Sequence, residues 1–186
     1  MEYNESMVQP DRYLILLSGL PGCGKTTLAH RLAKDLRIPL FAKDHLQSAL
    51  RRQGLASRSG AEGYRMILDL AEAQLSLGVS VILDAVFPKV GFRREAEEIA
   101  HCHGAMLRPI YCYCSDEALW QERMTGREQL VPDWSPVGWE EVVRLRGDFQ
   151  AWQPKEALFL DAVRPVEENF VQAKTWIVQL GHPGGS

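Results

Sequence analysis

Residues Gly19-Leu20-Pro21-Gly22-Cys23-Gly24-Lys25-Thr26 carry the spacing G-x-x-x-x-G-K-[ST], and each part has a chemical use. The glycines let the backbone curl so that successive N–H groups face inward as an anion nest. A helix starting near Lys25 adds the positive end of its dipole. Lys25 reaches the β- and γ-phosphates of a nucleoside triphosphate, and the Thr26 hydroxyl is a Mg²⁺ ligand. Mg-ATP is therefore the expected ligand of this loop. Thr27 either steadies the loop or touches the α-phosphate. Cys23 lies near a helix N-terminus and a lysine, a setting that lowers a thiol pKa; the alternative is a plain loop residue.

Three aspartates, Asp44, Asp84 and Asp161, each follow an apolar run. In a parallel sheet, ligands gather outside the carboxyl ends of the strands, whereas a lone aspartate there can also cap the next helix. Asp44 is expected to face the attacking hydroxyl, accepting its proton or orienting it for in-line transfer. Lys43 and His45 flank it, either as acceptor contacts or as solvated groups. Asp84 is expected to hold a Mg²⁺-bound water or an acceptor hydroxyl. Asp161 reads as structural, near the nucleotide edge. Arg123 and Arg127 are four apart and share one helix face. Closed over the triphosphate they would stabilise the transferring group and exclude water; paired with Glu122 or Glu128 they would only solvate a surface. Arg93 and Arg94 form a second basic pair, with Arg93 the candidate acceptor contact.

The elements that position these groups follow from the apolar pattern. Tyr13–Ser18 is a continuous apolar run, suited to a strand buried on both faces, and a helix is predicted over Lys25–Leu36. A short strand spans Leu40–Ala42, with Asp44 at the N-cap position of the next helix. Gly54–Gly60 is a polar linker. A helix over Ala61–Leu77 and a strand over Val79–Leu83 follow. Pro88–Cys102 reads as helix, Ala105–Cys114 as strand, and a helix begins at Ser115. Glu128–Trp139 reads as a mobile loop, Glu140–Trp152 as a helix, and Ala157–Leu160 as the last strand. Val166, Phe170, Ala173, Ile177 and Leu180 mark a closing amphipathic helix. Five strands between helices predict an α/β sandwich with a parallel sheet covered on both faces. One domain is expected over residues 12–180, with a lid over about 115–152, a polar extension over 1–11 and a flexible tail over 181–186.

Composition sets the surroundings. Of the 186 residues, 46% are hydrophobic and 24% charged, ordinary values for a globular domain. The 21 Lys+Arg against 24 Asp+Glu leave a formal charge of -3, so no broad basic field grips a nucleic-acid backbone. A small-molecule acceptor is the expected partner, and nucleic acid is not favoured. Met1–Asp11 lacks the basic and apolar regions of a signal peptide, and no apolar run reaches membrane length. The four cysteines show neither zinc spacing nor a secreted disulfide pattern, which predicts reduced, buried thiols in a cytoplasmic protein, with oxidative pairing as the minor alternative.

The chain resembles the small P-loop kinases and kinase-like ATPases around zeta toxin, chloramphenicol phosphotransferase, gluconate kinase and polynucleotide 5'-kinase. The resemblance rests on SGLPGCGKTTLAHRLAKDL (Ser18–Leu36), FAKDHLQSAL (Phe41–Leu50), VILDAVF (Val81–Phe87), FRREAEEIA (Phe92–Ala100), SDEALWQERMTGRE (Ser115–Glu128) and LDAVRPVEENF (Leu160–Phe170). It implies a P-loop NTPase three-layer sandwich, a five-stranded parallel sheet and a helical lid. It also implies ATP-dependent transfer to a hydroxyl, with Asp44 as base, Asp84 as the acid by the metal, and Arg123 and Arg127 on the lid. The segment at Arg164 and Pro165 would approach the adenine. Asp84-Ala85-Val86-Phe87-Pro88 differs from the Asp-Gly-x-Pro-Arg stretch of nucleoside monophosphate kinases, which makes a nucleotide acceptor less favoured. Two alternatives stand beside a small-molecule kinase: a polynucleotide 5'-hydroxyl kinase, and a nucleotide-gated regulatory ATPase.

Overall fold

The computed structural model describes residues 12–55, 60–126 and 137–178. Strand β1 (Tyr13–Ser18) runs through the glycine loop into helix α1 (Lys25–Leu36), then β2 (Leu40–Ala42), α2 (Lys43–Arg52) and α3 (Ala61–Ser76). The chain continues through β3 (Val81–Asp84), α4 (Val90–Cys102), β4 (Met106–Tyr113), α5 (Glu117–Thr125), α6 (Trp139–Asp148), β5 (Leu158–Asp161) and α7 (Val166–Val178). The strands form one parallel sheet in the order β2-β3-β1-β4-β5. Among the described residues, no helix is long and apolar enough to cross a membrane.

Strand periodicity divides β1 between two cores. Leu14 and Leu16 pack with Ile67, Leu68, Ala71 and Leu75 of α3 and Ala96 and Ala100 of α4. Ile15 and Leu17 pack on the other face with Leu28, Ala29 and Leu32 of α1 and Ala173 and Ile177 of α7. All four β1 side chains are fully buried, which is why the strand is apolar throughout rather than alternating. This is a three-layer P-loop sandwich.

Register sets the functional edge. Ala42 pairs with Asp84, Asp84 with Leu17, and Tyr113 with Asp161. Asp84, the glycine loop after Ser18, and α2 after Ala42 therefore leave the sheet on one edge.

Three local expectations change. Helix α2 starts directly at Lys43, with Ala42 as N-cap and no capping side chain. Asp44 therefore sits in the first turn, where the helix dipole favours a carboxylate, rather than at the cap. Helix α6 stops at Asp148 instead of reaching Trp152, because Phe149 is extended at φ -78 and ψ 115. That turn carries Trp152 back into the interior, where its Nε1 donates to Ser18 Oγ at 2.9 Å. Of the cysteines, Cys23 and Cys112 are buried and Cys114 partly so, but Cys102, at the end of α4, is exposed; all four are free thiols. The predicted loop over 128–136, the Leu180 end of the last helix, the residues 1–11 extension and the residues 181–186 tail lie outside the described residues.

Candidate active site

The glycine loop is held by contacts that leave little freedom. Gly19 has φ +139, and a Cβ there would lie 2.1 Å from the Cys112 carbonyl oxygen of β4. Gly22 has φ +84, and its Cβ would lie 2.5 Å from Met124 Sδ and 2.9 Å from Trp120 Nε1. Both positions therefore need glycine for conformation and for space. The Gly19 amide and the Ser18 hydroxyl both donate to the Val86 carbonyl, at 3.3 and 2.9 Å. Trp120 Nε1 of α5 donates to the Pro21 carbonyl at 2.8 Å.

Lys25 is buried, and its Nζ donates to the Leu20 carbonyl at 2.9 Å across the loop. Thr26 Oγ1 donates to Asp84 Oδ2 at 2.8 Å. Burial pushes the Asp84 carboxyl above its ordinary range, opposed by Lys25 and by the Thr26 hydrogen bond. The Asp44 charge raises it further, so both carboxylates act in one electrostatic neighbourhood. Asp44 is half-exposed, with Lys43 Nζ 3.9 Å from its Oδ1. Burial lowers the Lys43 pKa against the pull of Asp44, and the ammonium lies 5.2 Å from the Tyr64 ring centre. His45 is exposed on α2.

Beside the loop lies a cavity of about 360 Å³ lined by Gly22, Cys23, Gly24, Lys25, Thr26, Thr27, Arg123, Ala162, Arg164 and Asn169, among others. Arg123 Nη1 donates to the Ala162 carbonyl at 2.8 Å, which joins α5 to the turn after β5. Arg164 lines the cavity, while the Pro165 carbonyl accepts the Glu168 and Asn169 amides that open α7. Asp161 Oδ1 accepts the Ser115 and Val163 amides, each at 3.1 Å. Burial opposes its ionisation, but these hydrogen bonds prevail and hold its pKa low. Arg127 lies outside the described residues.

The profile of the AAA domain family matches residues 14–151, from β1 through the segment after α6. The chain belongs to the AAA domain family. A curated relative, the ribosome biogenesis ATPase RIX7 of Saccharomyces cerevisiae, is 33% identical over 96 residues, covering 48% of this chain and 10% of its own length. The chain thus spans about a tenth of that relative. An unliganded sugar kinase from a Janibacter species superposes with TM-score 0.69 at 22% identity, covering 91% of this chain and 96% of that one. Kti12 of Chaetomium thermophilum, solved with ADP-AlF3, superposes with TM-score 0.68 at 18% identity, covering 89% and 100%. The fold is thus shared with small P-loop kinases and kinase-like proteins, and this AAA domain is a P-loop nucleotide-binding domain.

Two side chains of the AAA domain differ from expectation. The Cys23 thiol is buried, and burial outweighs the nearby Lys25, pushing its pKa up to about 11 rather than down. Arg93 does not face an acceptor with its hydrogen-bonding groups. It is buried, donating from Nε to the Phe87 carbonyl at 2.9 Å and from Nη2 to the Gln150 carbonyl at 2.6 Å. Its guanidinium carbon lies 4.1 Å from the Trp152 ring centre and 5.1 Å from that of Phe149. Burial lowers its pKa to about 10, still far above neutral, so it stays charged. Arg94, next in sequence, is exposed.

The turn that Arg93 holds is strained. Phe87 is fully buried at φ 48, which costs a non-glycine residue about 1–3 kcal/mol. Its amide donates to Tyr64 Oη at 3.2 Å while its carbonyl accepts from Arg93. Tyr64 in turn stacks on Phe92, ring centres 4.5 Å apart. These partners fix the segment from Asp84 to Pro88. Trp120, Trp152 and Asn169 were not candidates from sequence. Asn169 carried a readable signal, since it lies between Val166 and Ala173 on the stripe that buries α7.

Proposed function

We propose that this domain is an ATP-dependent phosphotransferase, moving the γ-phosphoryl group to a hydroxyl of a small molecule. The observation that carries the reading is the 2.8 Å hydrogen bond between Thr26 Oγ1 and Asp84 Oδ2, beside a buried Lys25 and in the electrostatic neighbourhood of Asp44. The hydroxyl and carboxylate are hard oxygen donors, the chemistry Mg²⁺ selects when phosphates and waters complete its shell. Thr26 would hold the ion, and Asp84 would hold it or one of its waters. Bound there, Mg²⁺ would neutralise phosphate charge.

The chain's own groups then divide the work. The loop amides from Gly22 to Thr27 and the N-terminus of α1 bind the phosphates, with Gly19 to Pro21 shaping the loop. Lys25 exchanges the Leu20 carbonyl for phosphate oxygens. Asp44, in the first turn of α2, accepts the acceptor hydroxyl proton or orients that hydroxyl, with His45 on the same helix. Arg123 neutralises charge on the transferring group from α5, with Arg127 as its candidate partner. Arg164 and Pro165 border the base. The Arg93 clamp positions the Asp84 segment. With a formal charge of -3, a small acceptor is favoured over a polynucleotide end.

The test is parallel binding and turnover with γ-labelled ATP and a mixed metabolite and oligonucleotide pool. Asp44→Asn should keep Mg-ATP binding and lose transfer, by about 10²-fold or more as befits a positioned base. Lys25→Ala should weaken both. Full transfer by Asp44→Asn sinks the assignment. A nucleotide-gated regulatory ATPase is the second reading, favoured by the direct bond from lid residue Trp120 to the loop carbonyl of Pro21. Tight Mg-ATP binding and slow hydrolysis, with no labelled product from the pool, would support it.

A further inference from the structure

Among the polar side chains that line the nucleotide cavity, Asn169 has no role in phosphate binding. Asn169 sits one turn into α7, on the stripe that also buries Ala173 and Ile177. It is only 7% exposed and lines the same cavity as Lys25, Thr26, Arg123 and Arg164. A polar residue on that stripe is costly unless its groups are paired.

One half of the amide is paired. Nδ2 donates to the Asp161 carbonyl at 2.9 Å. Since a carbonyl can only accept, this bond fixes which end of the amide is nitrogen. The other end, Oδ1, is buried and has no hydrogen-bond partner. It can accept but never donate, and the Asp161 bond stops the amide from flipping to suit a different ligand.

The loop fixes the phosphates at the end of the cavity bounded by Lys25 and Thr26, which leaves the Arg164–Asn169 end for the base. Adenine presents an amino donor at its 6-position, where guanine presents a carbonyl oxygen. We propose that Asn169 is the base-specificity residue of this site: its Oδ1 accepts a hydrogen bond from the 6-amino group of adenine. A guanine seated in the same pose sets oxygen against oxygen and leaves Oδ1 unpaired. The proposal rests on the nucleotide reading above and adds to it the feature that selects ATP over GTP.

The experiment measures Mg²⁺-dependent affinity for four probes: ATP, GTP, purine riboside 5'-triphosphate (adenine without the 6-amino group) and inorganic tripolyphosphate. The wild-type chain should bind ATP about tenfold more tightly than purine riboside triphosphate, the range of one buried neutral hydrogen bond, and GTP more weakly than ATP. Asn169→Leu, of similar size, should bind ATP and purine riboside triphosphate equally and keep wild-type affinity for tripolyphosphate. A residue that merely pins the Asp161 carbonyl would not change the ratio between two bases. Equal wild-type affinity for ATP and purine riboside triphosphate overturns the proposal, as does discrimination that survives in Asn169→Leu. If the leucine variant does not fold, N6,N6-dimethyl-ATP decides with the wild-type chain, because it cannot donate: binding as tight as ATP overturns the proposal and a loss supports it. Lys25-dependent tripolyphosphate binding without base discrimination refutes only the role of Asn169; no Lys25-dependent binding of any probe refutes the nucleotide reading itself.

Discussion

Replacing Arg93 by methionine keeps an unbranched stem and deletes the guanidinium. Two hydrogen bonds disappear, to the carbonyls of Phe87 and Gln150 at 2.9 and 2.6 Å, together with the stacking on Trp152. Hydrogen bonds from a charged donor contribute about 1.5–3 kcal/mol each, and a desolvated cation–π contact about 2 kcal/mol. The thioether recovers part of the ring contact, and loss of the buried charge removes its desolvation cost. The net expected loss is about 3–5 kcal/mol, a large share of the roughly 5–15 kcal/mol that holds a domain together. The effect should also spread locally. Without Arg93, the strained φ at Phe87 relaxes and carries with it the Val86 carbonyl that receives Ser18 and Gly19. Urea unfolding followed by tryptophan fluorescence should show an earlier midpoint with an unchanged slope, and Mg-ATP binding should weaken under native conditions. An unchanged midpoint combined with a raised KM for acceptor alone would refute this reasoning and return Arg93 to the acceptor site.

Asp84→Asn removes a carboxylate whose ionised form is disfavoured by burial. Without Mg²⁺ or nucleotide, thermal unfolding should show this variant as stable as the wild type or a few degrees more so, while Mg²⁺-dependent ATP binding is lost; a strongly destabilised variant would contradict the desolvation argument. Cys23, with its thiol pushed up to about 11, should react sluggishly with iodoacetamide at neutral pH. Its folded pKa exceeds that of a free thiol, so its rate should still rise about tenfold per pH unit where a small thiol such as N-acetylcysteine has levelled off. Mass spectrometry of the labelled Cys23 peptide would check this, and a plateau matching that of the small thiol would refute it.

What the sequence made legible was local. The bounds of β1, α1 and β2 follow from an apolar run, a glycine loop and a proline, each acting on near neighbours. The loop's chemistry was equally plain, because its glycine, lysine and threonine spacing is a phosphate-binding pattern contained in eight consecutive residues. Arg93, Cys23 and Trp152 were not legible, because their roles depend on partners far along the chain. Arg93 and Arg94 are adjacent and alike, yet one is buried and the other exposed. Nothing in the pair itself reveals that Gln150 and Trp152 return to cover the first. The helix expected to reach Trp152 broke at Phe149 for the same reason: apolar spacing continued, but the indole has a partner in Ser18, 134 positions away.

That distance bears on how the loop works. Ser18 Oγ accepts from Trp152 and donates to Val86, while Trp120 donates to Pro21. The start of the loop is thus tied to the segment after α6 and to the Asp84 turn, and its Pro21 carbonyl is tied to α5. Arg146 of α6 lies 5.0 Å from the Trp120 ring centre and hydrogen-bonds Glu117 of α5 at 3.2 Å, so α5 and α6 are linked to each other as well. A change in the loop on nucleotide binding therefore has a direct route to α5 and α6 through one indole. The same bond serves both proposed readings: in a kinase it couples phosphate binding to closure over the acceptor, and in a regulatory ATPase it is the output. Product formation, not lid geometry, is what separates them.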